Sequence, residues 1–161
     1  MSAGSNGTGV AVSHDLSLLA PRFRAAVERA LAACAQQGLD AVVYEGYRTP
    51  ELQALYWARG RTIIPPIRPV TYAPTNLYSW HGYGLAVDVI HRTDHWDRPE
   101  SWFRAVAECF KLQECRWGGD WRKPDLPHLQ WGRCKPSPSD AARRILAADG
   151  LEAVWRAVQA T

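Results

Sequence analysis

The sequence predicts an α+β domain, on three observations. Several segments repeat apolar residues at helical spacing, whereas Ala41-Val42-Val43-Tyr44, the run from Leu85 to Ile90 and the residues after His128 are short apolar runs of strand character. Glycines and prolines separate the two kinds of segment. A chain of 161 residues, 47% apolar and 22% charged, suits one domain with a sizeable core.

Each element has a local reason. Residues 1–12 are rich in glycine and serine and are expected to form a disordered lead before a single domain at 13–161. Ser13 or Asp15 can cap a helix, and Phe23, Val27, Ala30, Leu31 and Cys34 form one apolar stripe between Pro21 and Ala35. Gly38 ends that helix, and the strand at 41–44 then leads to Arg48. A second helix fits Pro50 to Arg59, with proline in its first turn and Gly60 as its stop. Pro65, Pro66, Pro69 and Pro74 disfavour regular structure over 61–78, which reads as a long ordered loop across a cleft. Leu85, Ala86, Val87, Val89 and Ile90 read as a buried strand. Trp102, Val106, Cys109 and Phe110 give Pro99 to Leu112 helical spacing, and 117–121 is a turn or strand edge. From Ser139 to Ala160 an amphipathic helix, interrupted at Gly150, is expected to pack on the body. A short separate wall-binding helix is the alternative there.

Residues with metal chemistry gather in two places. His81 and Asp88 end the segment Ser79-Trp80-His81-Gly82-Tyr83-Gly84-Leu85-Ala86-Val87-Asp88. In one uninterrupted strand their odd separation would point them to opposite faces. A loop at His81, a glycine bend at 82–84 and a strand would bring Asp88 back to the same site. A catalytic zinc needs a third protein ligand and an open position, and His128 is the candidate. Two imidazoles among three ligands favour zinc over magnesium. Pro127 biases Leu126 to extended backbone, so Asp125 and His128 do not share a helix face. Asp125 is the choice for a general base beside the metal, with Asp120 as its rival.

The pattern Ser79-x-His81-x-x-Gly84-x-Ala86-x-Asp88 followed by Asp125-x-x-His128 resembles the M15-type zinc peptidases that cut peptidoglycan, most of all the L-alanyl-D-glutamate endopeptidase endolysins of phages. Glu45-Gly46-Tyr47-Arg48-Thr49-Pro50-Glu51-Leu52-Gln53-Ala54-Leu55-Tyr56 and Gly60-Arg61-Thr62 resemble the same family's second signature. The resemblance implies a small, mainly antiparallel sheet with helices on one face, like the Hedgehog/D,D-peptidase fold. It implies one zinc on His81, Asp88 and His128, with Asp125 as base and Arg48 beside the substrate carbonyl as oxyanion stabiliser. Ser79 is expected to donate to the substrate backbone and Gln53 to reach the same groove, unless Gln53 is an ordinary exposed helix residue. The implied substrate is the stem peptide of peptidoglycan, cut between L-alanine and D-glutamate. A D,D-carboxypeptidase or D-Ala-D-Ala dipeptidase is the alternative, although that branch carries glutamate where this chain has Asp125. A non-catalytic, zinc-stabilised wall-binding module is a third reading, against which a spare Asp125 and Arg48 count.

Composition bounds the partners. Nineteen basic against 16 acidic residues give a net charge of +3, too weak and scattered for nucleic acid but compatible with anionic walls. Eight tryptophans are spread along the chain, and Trp80 and Trp121 either fill the core or line a substrate groove. Cys34, Cys109, Cys115 and Cys134 lack the spacing of a structural zinc site and are expected as buried thiols, a bridge to Cys134 being the alternative. His14, His91 and His95 are expected to be surface or satisfied histidines. No stretch is apolar enough to span a bilayer, and the N-terminal residues lack signal-peptide order. The expectation is therefore a protein made in the cytoplasm. The endolysin resemblance implies a host cell and access to the wall once the membrane is opened, and a monomer is the default for a chain acting on an insoluble polymer.

Overall fold

A computed structural model describes residues 11–161. Of the expected lead, residues 1–10 lie outside the described residues, whereas Val12 is buried. Four strands form one antiparallel sheet in the order β1-β2-β4-β3: β1 Ala41–Glu45, β2 Ala86–His91, β3 Cys115–Trp117 and β4 His128–Trp131. The helices are α1 Pro21–Gln36, α2 Pro50–Ala58, α3 Glu100–Lys111, α4 Asp140–Asp149 and α5 Leu151–Ala157. The α+β class and antiparallel sheet are those expected.

Alternation along the strands separates two faces. Val43, Val87, Val89, Leu129 and Trp131 point to the side where α1 and α3 pack, and join Phe23, Val27, Phe103, Val106 and Phe110 in the core. Glu45, Asp88, His128 and Gln130 point to the opposite side. Directly paired residues of antiparallel strands share a face. Asp88 lies opposite both Glu45 on β1 and His128 on β4, so three acid–base side chains form one row across the sheet. A register shift between Val43 and Glu45 sets that row, since the extra residue re-aims Glu45 toward Asp88.

Local sequence explains the flanks. Asp15 caps a short 3₁₀ turn at Leu16–Leu18 rather than α1, which starts behind Ala20 without a side-chain cap and with Pro21 in its first turn. The Thr49 hydroxyl caps α2 by accepting from Leu52 N–H. Gly150 breaks the C-terminal helical stretch into α4 and α5, with φ of 86°. All four cysteines are buried and free, so the bridge to Cys134 is not formed. Burial pushes the thiols of Cys34, Cys115 and Cys134 up to about 12. No helix among the described residues is long and apolar enough to cross a membrane.

Candidate active site and metal centre

His81 sits on a 3₁₀ turn, Trp80–Tyr83, where a plain loop was expected. The Ser79 hydroxyl caps the turn by accepting from His81 N–H at 3.3 Å. Gly84 closes it in the left-handed region at φ 67°, where a Cβ would also meet Leu18 O at 2.7 Å. The chain then enters β2 and delivers Asp88. Backbone bonds stitch this turn to the Arg48 segment: Arg48 N–H donates to His81 O at 3.0 Å.

Ligand atoms of His81, Asp88 and His128 all lie within 4.8 Å of one another, the one such group among the described residues. The tautomers follow from what surrounds each ring. Gly46 O can only accept, so His81 Nδ1 donates to it at 2.9 Å and Nε2 is left with its lone pair. Gln130 Nε2 donates to Lys135 O, which makes the other amide atom an oxygen, and His128 Nε2 donates to it at 2.8 Å. His128 Nδ1 therefore also carries a lone pair. Those two nitrogens face Asp88 Oδ1 at 3.4 and 3.6 Å. Oδ1 is a buried oxygen without a hydrogen-bond partner. Three acceptors aimed at one another, each imidazole anchored through its other nitrogen, fit a divalent cation bound by nitrogen and oxygen ligands.

The protein's own charges are tightly coupled there. Burial opposes ionisation of Asp88, but His81 and His128 outweigh it and hold the carboxyl well below the usual range. Burial likewise opposes a charge on His128, and Asp88 outweighs it and raises that pKa.

The cluster opens into a cavity of about 570 Å³. Asp125 lines it, half-exposed, with Oδ2 at 4.0 Å from His128 Nδ1. Enclosure by the cavity and the nearby Asp88 charge raise its pKa from the ordinary aspartate value. The rival Asp120 points elsewhere and pairs with Lys111 at 2.8 Å. Trp121 lines the cavity with its ring centroid 4.8 Å from that of His128. Trp80 lines the cavity, yet it is buried and donates its indole N–H to Lys135 O at 2.7 Å. Ser79 lines the cavity as well.

Arg48 is in the cavity wall and buried. Its Nε–H donates to Glu45, its Nη1 donates to Gln53 Oε1 at 2.8 Å, and its Nη2 lies 4.0 Å from Asp88 Oδ2. Gln53, expected in the groove, lies behind it instead. It is fully buried, and its amide N–H groups donate to Ala73 O at 2.7 Å and Thr71 Oγ1 at 3.4 Å. Glu45 and Tyr56 stand at the two ends of the second signature, but the sequence assigned neither a role. The Tyr56 hydroxyl donates to Glu45 at 3.0 Å and its ring supports Arg48 at 4.7 Å. The sequence signals for Glu45 were its place at the head of the second signature and its spacing of three residues from Arg48.

A family profile described as D-alanyl-D-alanine carboxypeptidase, of the M15 type, matches residues 73–131. The chain is also 37% identical over 111 residues to the peptidoglycan L-alanyl-D-glutamate endopeptidase CwlK of Bacillus subtilis (strain 168). Over residues 73–131 the chain is thus similar to the M15 peptidases. The alignment with CwlK covers 62% of this chain and 65% of that relative, so the chain spans just under two thirds of its length. Two solved structures share the fold of this chain. The L-Ala D-Glu endopeptidase ChiX of Serratia marcescens has a TM-score of 0.51 at 20% identity, covering 72% of this chain and 82% of that one. The LD-carboxypeptidase LdcB has a TM-score of 0.51 at 18% identity, covering 86% and 68%.

Proposed function

We propose that this chain is an M15-type, zinc-dependent hydrolase of the peptidoglycan stem peptide, cutting between L-alanine and D-glutamate. The observation that carries the chemistry is the set of three mutually facing acceptors on His81, Asp88 and His128, with Asp125 beside them in one cavity. The similarity to CwlK supports the choice of bond.

A zinc ion on these residues would polarise the scissile carbonyl and lower the pKa of a bound water toward about 7. Asp125 accepts the proton of the attacking water and returns it to the leaving amine, a role that its raised pKa suits. Arg48 faces the developing oxyanion with N–H groups not engaged by Glu45 or Gln53. Gly46 and Gln130 hold the two imidazoles in the tautomers the site requires. Ser79 and Trp121 contact the bound peptide from the cavity wall. In the biological setting we infer from the motif resemblance, the protein acts as a phage-type endolysin, made in the host cytoplasm and admitted to the wall when the membrane is opened.

A D,D-carboxypeptidase is the second reading, favoured by the description of the family matched over 73–131. Mass spectrometry of purified sacculi digested with the protein separates the two. The proposed reading expects products carrying a new amino group on D-glutamate. Loss of terminal D-alanine alone would favour the second reading, and unchanged muropeptides would overturn both.

A further inference from the structure

We propose that Glu45 is a positioning residue: acting through Arg48, it holds the Asp88 carboxylate so that a single oxygen, Oδ1, faces His81 and His128. The inference rests on these three residues being a metal site. It adds a residue whose carboxylate contacts Arg48 and Tyr56 and not the metal-facing atoms.

Glu45 is almost fully buried, at 1% exposure. A buried carboxylate persists only when paired and hydrogen-bonded, and Glu45 is both. It accepts from Arg48 Nε–H through Oε1 and from the Tyr56 hydroxyl through Oε2. These contacts, with Gln53 on Nη1 and the Tyr56 ring against the guanidinium plane, fix Arg48 along three sides. The remaining side carries Nη2, which faces Asp88 Oδ2 at 4.0 Å. The other Asp88 oxygen is the one turned to the histidines and lacking a donor. The two oxygens are thus sorted: Oδ2 toward a fixed cation, Oδ1 toward the cluster. The register shift after Val43 makes this possible by placing Glu45 opposite Asp88. In Glu45→Gln the guanidinium loses its full counter-charge, and Asp88 becomes the carboxylate that it faces. Arg48 is then drawn toward Asp88 and competes with the metal for it.

Cobalt(II) titration of the purified apo-protein tests this, read by visible absorption and by competition with a chromophoric chelator. Glu45→Gln is expected to weaken Co²⁺ binding by about 10–100-fold, the usual effect of losing an outer-shell partner, and to change the d–d band. A Glu45→Met/Arg48→Met double variant leaves no unpaired charge behind. It releases Oδ2 and is expected to change the same band, so it decides the matter if Glu45→Gln does not fold. A folded variant of either kind with wild-type affinity and spectrum overturns the inference while leaving the metal site standing. Failure of the wild type itself to bind Co²⁺ overturns the site and the inference together.

Discussion

Asp125 and Asp120 show what separates a reactive carboxylate from a structural one. Both flank the same bend, five residues apart, and both are acidic residues beside tryptophan or proline. Asp120 is neutralised by Lys111 at 2.8 Å, on the outside of the fold. Asp125 borders the cavity, 4.0 Å from a ring nitrogen of His128, with enclosure by the cavity and the Asp88 charge raising its pKa. General acid–base groups contribute about 10²–10⁴-fold. Asp125→Ala is expected to lower the rate of stem-peptide hydrolysis by that factor while still binding metal, and Asp120→Ala to stay within about threefold of wild type. Steady-state rates on a synthetic stem peptide check both, and equal losses in the two variants would contradict the assignment. Gln53 shows the limit of reading residues singly. Its side chain is in the right neighbourhood, but burial turns its amide inward to Ala73 and Arg48.

Among the elements, the decisive ones are short. Four residues of β4 place His128 directly across from Asp88, and a four-residue 3₁₀ turn presents His81. The bend between β3 and β4 depends on close backbone approach. Asp125 N–H donates to Gly118 O at 2.9 Å, and a Cβ on Gly118 would lie 2.6 Å from Asp125 O and 3.0 Å from His128 Cβ. Gly118→Ala must therefore push the Asp125 bend away from the cluster. Misplacement of a catalytic group by about 1 Å can cost about 10²-fold. The expected outcome is a loss of that order in kcat, measured against a thermal unfolding midpoint lowered by only a few degrees. An unchanged kcat would show that the bend tolerates the shift. Helix and strand positions were legible at this scale because periodicity and glycine or proline punctuation mark them locally. The Asp88 segment was legible too, since glycines before an apolar run ending in aspartate imply a bend and a strand. The register was not. The shift at Val43–Glu45 depends on pairing between segments more than 40 residues apart, and no local pattern records it.

For the molecule as a whole, division of the sheet into two faces organises everything else. One face, with Val87, Val89, Leu129 and Trp131, is sealed by α1 and α3. The other keeps a row of Glu45, Asp88 and His128 that would be costly to bury without partners. The sequence carried the three metal-facing residues as spaced motifs, so their convergence could be expected from resemblance. It did not carry the roles of Glu45, Tyr56 and Gln130, which exist only once the strands are paired and the rings oriented. The most direct test of the whole arrangement is the zinc content of the purified protein, measured by inductively coupled plasma mass spectrometry. The account predicts about one zinc per chain, as a site of three protein ligands implies, lost in a folded His81→Ala variant and kept in His95→Ala. A wild-type chain without zinc, or a His81→Ala variant that keeps it in full, would contradict the account.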